Sequence, residues 1–146
     1  MIKLSKIADY GIVVLAHLVQ EQGALKTATS LSQTTLLPEP TVSKVLKLLA
    51  KGKIIRSVRG MNGGYILDRS PEDISVAEII AVLDGPIALT ACVDGDNERC
   101  LLKDRCGMET CWQTVNETIL QSLRALSFAR MLAESDRFCQ YQKKGI

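Results

Sequence analysis

Between positions 40 and 52 the apolar residues Val42, Val45, Leu46 and Leu49 recur at i, i+3, i+4 and i+7, while Ser43, Lys44, Lys47 and Lys51 fall on the other side. That period fits a helix with one face to bury and one basic face to show, and it does not fit a strand. Pro40 suits the first helical turn, where a missing N–H costs little, and Gly52 suits a C′ stop. Upstream, Thr27 is a candidate N-cap for a short helix over about 28–35, which Leu36-Leu37-Pro38-Glu39 breaks. Two short helices joined by a tight turn, the second basic and amphipathic, form the helix-turn-helix pattern. Two β-prone runs follow, 54–58 and 65–67, around Arg59-Gly60-Met61-Asn62-Gly63-Gly64. The glycines and the Asn-Gly pair mark a hairpin tip. A basic hairpin directly after such a helix is a wing.

Charge follows the same division. Residues 41–69 carry seven bases against one acid, a net +6, while residues 70–111 carry nine acids against three bases, a net −6. The overall charge of +2 hides this asymmetry. A compact basic block in a near-neutral chain is the footprint of a phosphate-binding face; the alternative is a solvated Lys/Arg surface. If the 40–51 helix enters a major groove, Thr41, Ser43 and Lys44 approach base edges, and Lys47 and Lys51 face phosphates. Arg56 and Arg59 on the wing then reach the backbone or an adjacent minor groove. The alternative role for Thr41 and Ser43 is helix-start capping. The expected partner is double-stranded DNA.

Elsewhere, residues 4–20 read as a helix apolar on most sides, with Ile7, Gly11, Val14, Leu15 and Leu18 in one stripe and Ile12, Val13, Ala16 and Val19 in another. Such a helix needs cover on both sides, and a second subunit is a natural source. His17, the only histidine, lies on it and reads as a core or interface residue. Another helix spans about 75–84 and ends at Gly85-Pro86. A last long helix, about 112–126, presents Val115, Ile119, Leu123 and Leu126 on one face, with Trp112 as its anchor, and a short helix over 128–134 follows. The expected fold is mainly α with a small β-hairpin wing: a winged helix-turn-helix over 1–85, a cysteine-rich loop over 86–111, and a dimerisation helix with its tail over 112–146. No apolar run approaches the roughly 20 residues needed to span a bilayer. Asp9 interrupts the one N-terminal stretch that resembles a signal peptide, so a cytoplasmic protein without membrane association is expected.

The five cysteines are Cys92, Cys100, Cys106, Cys111 and Cys139, four of them within 20 residues. An odd number outside a secreted context argues against a disulfide framework. Cys92, Cys100 and Cys106 are spaced C-x7-C-x5-C, without the C-x2-C pairs common in zinc sites. Thiolates are the usual ligands of iron–sulphur clusters, and a Gly- and Asp-rich loop can wrap a small inorganic core. From spacing alone a cluster, zinc and free thiols all stay open. Cys139, in the polar tail, reads as a bystander. Hydrolytic catalysis lacks a triad around the single histidine, and a redox enzyme or electron carrier lacks a C-x-x-C pair. Neither class explains the basic helix, so an enzyme is not expected.

Leu4-Ser5-Lys6-Ile7-Ala8-Asp9-Tyr10-Gly11, Pro40-Thr41-Val42-Ser43-Lys44-Val45-Leu46, Val58-Arg59-Gly60-Met61-Asn62-Gly63-Gly64-Tyr65 and the three-cysteine loop occur here in one order. In that order, over residues 1 to about 134, the chain resembles the Rrf-type winged-helix transcription regulators, a family with IscR-like, NsrR-like and SUF-operon branches. The runs Asp9 to His17 and Gly85 to Cys92 look nearest the SUF-operon branch, which would control genes for building iron–sulphur clusters. The resemblance implies a homodimer on a palindromic operator, acting as a repressor. It also implies an iron–sulphur cluster on Cys92, Cys100 and Cys106, with 2Fe–2S ahead of 4Fe–4S. IscR-like members place a histidine three residues after the third cysteine, where this chain has Glu109. NsrR-like members use an aspartate from the partner's first helix, which matches Asp9. Asp9 from the partner subunit is therefore the first candidate for the fourth ligand, with Cys111 and Glu109 behind it. The competing reading is a winged-helix regulator with a zinc or thiol switch.

Overall fold

The computed structural model describes residues 3–20, 23–94, 100, 102 and 105–135. Among the described residues six α-helices and one hairpin follow in order, with a 3-10 turn at Pro71–Asp73: α1 (Lys6–Val19), α2 (Ala28–Thr35), α3 (Glu39–Lys51), β1 (Ile55–Val58), β2 (Gly64–Leu67), α4 (Val76–Asp84), α5 (Glu109–Ala125) and α6 (Phe128–Ala133). Local chemistry sets most of the starts. The hydroxyls of Ser5, Thr27, Ser75 and Ser127 each accept a hydrogen bond from the backbone N–H three residues on, and so cap α1, α2, α4 and α6. Pro38 holds the N-cap position of α3, with Pro40 in its first turn and no side-chain cap. Thr41 and Ser43 therefore do not cap that helix.

α1 packs against α2, α3 and α4, which accounts for its apolar character all round. Val42, Val45, Leu46 and Leu49 of α3 are fully buried with Val14, Leu15, Leu31, Ile54, Ile74 and Ile79. His17 is buried within α1, as its apolar surroundings in sequence suggest. Among the described residues no helix is long and apolar enough to cross a membrane.

The hairpin pairs antiparallel, from Ile55 opposite Leu67 to Val58 opposite Gly64. Its tip turns over Gly60 to Gly63, where the Gly63 N–H donates to the Gly60 carbonyl at 3.1 Å. Met61 and Asn62 are thus the central turn residues. A side chain on Gly63 would run into the carbonyl oxygen of Val58. Lys26, ahead of α2, exchanges two backbone hydrogen bonds with Tyr65, at 3.0 and 2.8 Å. The wing is thereby moored to the entrance of the helix-turn-helix.

Three sequence expectations change. Gly52 does not take the left-handed C′ conformation: its φ is −78°, and Lys53 carries the positive φ of 57°. Gly52 is needed for space, because a Cβ there would lie 2.6 Å from Val82 Cγ1 on α4. α5 begins at Glu109, three residues before the expected start, so Glu109 and Cys111 lie in its first turn and not in the loop. Trp112 does not anchor α5 to the rest of the chain; it is 40% exposed. α6 shares one core with α1 to α4, since Phe128 is fully buried in it and the backbone pairs Val76 N–H to Leu126 O and Phe128 N–H to Ile74 O tie the start of α6 to the start of α4. Cys139 lies outside the described residues.

Candidate nucleic-acid interface and thiol loop

Burial of one side of α3 leaves the other as a shallow groove lined by Pro40, Ser43, Lys44, Lys47, Leu48 and Lys51. Lys44, Lys47 and Lys51 are exposed, and Thr41 and Ser43 are half-buried at the N-terminal end. The structure thus joins on one helix face the residues expected to read bases and those expected to meet phosphates. The α2–α3 turn is held by Ser32 Oγ donating to the Leu37 carbonyl at 2.7 Å and by Thr29 Oγ1 donating to Glu39 at 3.1 Å. These bonds fix the angle at which α3 is presented.

The two wing arginines differ. Arg59 is exposed at the end of β1. Arg56 is also exposed but lies 3.5 Å from the carboxylate of Asp68, the residue just after β2, so part of its charge is answered within the protein. Arg69, the last base of the positive block, pairs with Glu78 on α4, so its charge too is answered within the protein. Met61, at the wing tip, is fully exposed. Composition gave no signal for it, whereas its place between two glycines at the hairpin tip could have.

The cysteine loop begins where α4 ends. Asp84 accepts from the Ser5 N–H at 2.9 Å and from the Ser5 hydroxyl, so the last residue of α4 is tied to the N-cap of α1. Gly85, at φ 91°, turns the chain away. Asn116 on α5 then catches the loop, accepting from the Leu89 N–H at 3.1 Å and donating to the Ile87 carbonyl at 3.0 Å. The loop's described residues form turns with no helix or strand. Cys92, whose Sγ lies 3.1 Å from Thr90 Oγ1, and Cys100 are half-buried; Cys106 and Cys111 are exposed, and all four are free thiols. Sequence reasoning missed Asn116, because nothing local distinguishes it from other polar residues of α5.

Asp9 is exposed in the first turn of α1, and Glu109 is exposed at the first position of α5, where Gln113 donates to it at 3.4 Å. Among the described residues no three His, Cys, Asp or Glu side chains stand close enough to share one metal ion. The donor set nevertheless fits a thiophilic centre in its chemistry: Cys92, Cys100 and Cys106 are three free sulphurs between α4 and α5, and Leu89, three residues before the first of them, is anchored to α5. The exposure of Asp9 leaves its carboxylate accessible to another subunit.

The Rrf2 family model, described as an iron-dependent transcriptional regulator, matches residues 4–134. The Bacillus subtilis regulator NsrR is 27% identical over 125 residues, which cover 85% of this chain and 84% of NsrR. The structure of T. potens IscR matches with a TM-score of 0.68 at 29% identity, covering 93% of this chain and 90% of that one. The structure of CymR, the global cysteine regulator of B. subtilis, matches with a TM-score of 0.73 at 24% identity, covering 93% of this chain and all of that one. The basic α3 face, the moored wing and this match over nearly the whole chain lead to one conclusion: the chain belongs to the Rrf2 family of DNA-binding transcriptional regulators, and it is not an enzyme.

Proposed function

We propose that the chain is a cytoplasmic, homodimeric repressor whose grip on a palindromic operator depends on an iron–sulphur cluster, and that its targets are SUF-type cluster-assembly genes. The observation that carries this reading is the placement of three free thiols, Cys92, Cys100 and Cys106, on a loop leading from α4 into α5. The iron-dependent description of the matching family supports it. Cys92, Cys100 and Cys106 would hold the cluster, 2Fe–2S ahead of 4Fe–4S, with Asp9 of the partner subunit as fourth ligand ahead of Cys111 and Glu109. The cluster, when bound, supplies a centre sensitive to iron supply and oxidants. An oxygen ligand is weaker than a thiolate for such a centre and would leave one labile corner.

The rest is the work of this chain's residues. α5 presents Trp112 and Val115, 40% and 44% exposed, beside the half-buried Ile119, Leu123 and Leu126. An exposed apolar stripe on a 17-residue helix is the face a second copy would cover. Two α3 faces related by that axis would meet successive major grooves, with Thr41, Ser43 and Lys44 at the bases, Lys47 and Lys51 at phosphates, and Arg56 and Arg59 on the flanks.

The test is an anaerobic absorption spectrum of freshly purified protein, with iron and sulphide counted on the same sample. Visible bands with stoichiometric iron and sulphide are expected. A protein still colourless after anaerobic reconstitution would remove the cluster. The exposure of Cys106 and Cys111 would then favour the second reading, a thiol switch on the same winged helix.

A further inference from the structure

α5 is exposed or half-exposed along its length, and Asn116, at 6% exposure, is its one buried residue. A primary amide is an unusual choice for the buried spot of a surface helix, and it is tolerated here because both of its ends are satisfied. Its oxygen accepts from the Leu89 N–H and its nitrogen donates to the Ile87 carbonyl, partners 27 and 29 residues away in sequence. Both partners are backbone groups. The amide therefore pairs with the chain as another peptide group would, and it holds the position of residues 87–89 whatever their side chains.

That position matters because of what lies beyond it. Leu89 is three residues before Cys92, and the chain enters α5 three residues after Cys106. Asn116 thus closes the segment carrying Cys92, Cys100 and Cys106 into a ring, joining its start to the helix at its end. The start is also held from the other side, since Asp84 is bonded to Ser5 at the head of α1. On the surface of α5, Trp112 and Ile119 stand at i−4 and i+3 from Asn116, so the clasp lies at the edge of the exposed apolar stripe.

We propose that Asn116 is the positioning residue of the thiol centre: it holds Cys92 in register with α5 and mechanically links the loop to the dimer-forming face of that helix. The cluster part of this inference rests on the reading given under Proposed function; the positioning of Cys92 does not. A change in the loop that breaks either amide bond is felt at once on α5, next to Trp112.

Asn116→Leu keeps the branched heavy-atom skeleton of the side chain and removes both hydrogen bonds. Asn116→Asp keeps the acceptor for the Leu89 N–H and sets a second acceptor against the Ile87 carbonyl. In the full-length apo protein, amide exchange at residue 89 and alkylation of Cys92 are measured by mass spectrometry, with Cys111 as the internal reference. Asn116→Leu is expected to speed both by about tenfold or more, the size of a lost local closure, while Cys111 and the helical circular dichroism stay unchanged. After anaerobic reconstitution, the visible circular dichroism should change shape and the bands should bleach at least about tenfold faster under an iron chelator. Native visible dichroism with a bleaching half-life unchanged from wild type would reduce Asn116 to a packing residue and overturn the proposal. If the wild type takes up no iron or sulphide, the cluster reading fails by itself, and the apo measurements still decide: Cys92 alkylating at the wild-type rate in Asn116→Leu would end the positioning role too. Should Asn116→Leu not fold, Asn116→Asp is judged by the same readouts.

Discussion

Replacing Lys47 by alanine tests the DNA face through charge alone and needs no knowledge of the operator. Lys44, Lys47, Lys51 and Arg59 are exposed on α3 and the wing without an ion-pair partner among the described residues, while Arg56 is partly answered by Asp68. Each phosphate neutralised on duplex DNA contributes about 0.9 to the slope of log affinity against log salt; with Lys44 assigned to base edges, the contacts of Lys47, Lys51 and Arg59 in each protomer of the proposed dimer would give a slope of roughly −5.4. Lys47→Ala removes one contact per protomer and should bring that slope to roughly −3.6. Between about 50 and 200 mM salt, wild-type affinity then falls by roughly 10³ and that of the variant by roughly 10². Fluorescence anisotropy on a duplex of arbitrary sequence, across a salt series, reads the slope directly. Arg69→Ala is the control: Arg69 belongs to the same basic stretch of sequence but is paired with Glu78, and its loss should leave the slope in place. A slope unmoved by Lys47→Ala, or lowered as much by Arg69→Ala, would refute the assignment of the face.

Gly52→Ala should lower the melting temperature of the apo protein by about 3–10 °C, because the new methyl group overpacks against the stiff Val82 side chain. Adding Val82→Ala should restore part of that loss, and strict additivity in the double variant would show that the contact is not the cause. Val115→Lys, on the exposed stripe of α5, should shift the protein toward monomer in sedimentation velocity and weaken DNA binding by about tenfold or more, while the melting curve of the monomer keeps its cooperativity. Asp9→Ala should leave apo folding intact, since the side chain is exposed, but should speed loss of the visible bands under oxygen; an unchanged half-life and spectrum would remove Asp9 as a ligand.

The period of Val42, Val45, Leu46 and Leu49 was enough to identify the buried face of α3, and by elimination the lysine face, because a helix has only one way to hide four such residues. Thr27 caps α2 as its chemistry suggests, and the Gly-rich run from Arg59 turns the hairpin. The cysteine residue types indicate thiophilic ligand chemistry, while their spacing leaves a cluster, zinc and free thiols open. Each of these features depends on neighbours within a few residues along the chain, which is what a sequence displays.

Other features were settled only by folding. Gly52 looked like a helix stop and is a gap for Val82, 30 residues away. Phe128 looked like part of a short trailing helix and lies fully buried beside the 71–79 segment, which its backbone also pairs with. Trp112 looked like an anchor and stands exposed, and Asn116 looked like one polar residue among several and clasps the start of the thiol loop. In each case the local pattern says how apolar or polar a position is but not which distant surface arrives against it. That is decided when helices close on one another at van der Waals distance, where a single methyl group or one buried amide is enough to determine what fits.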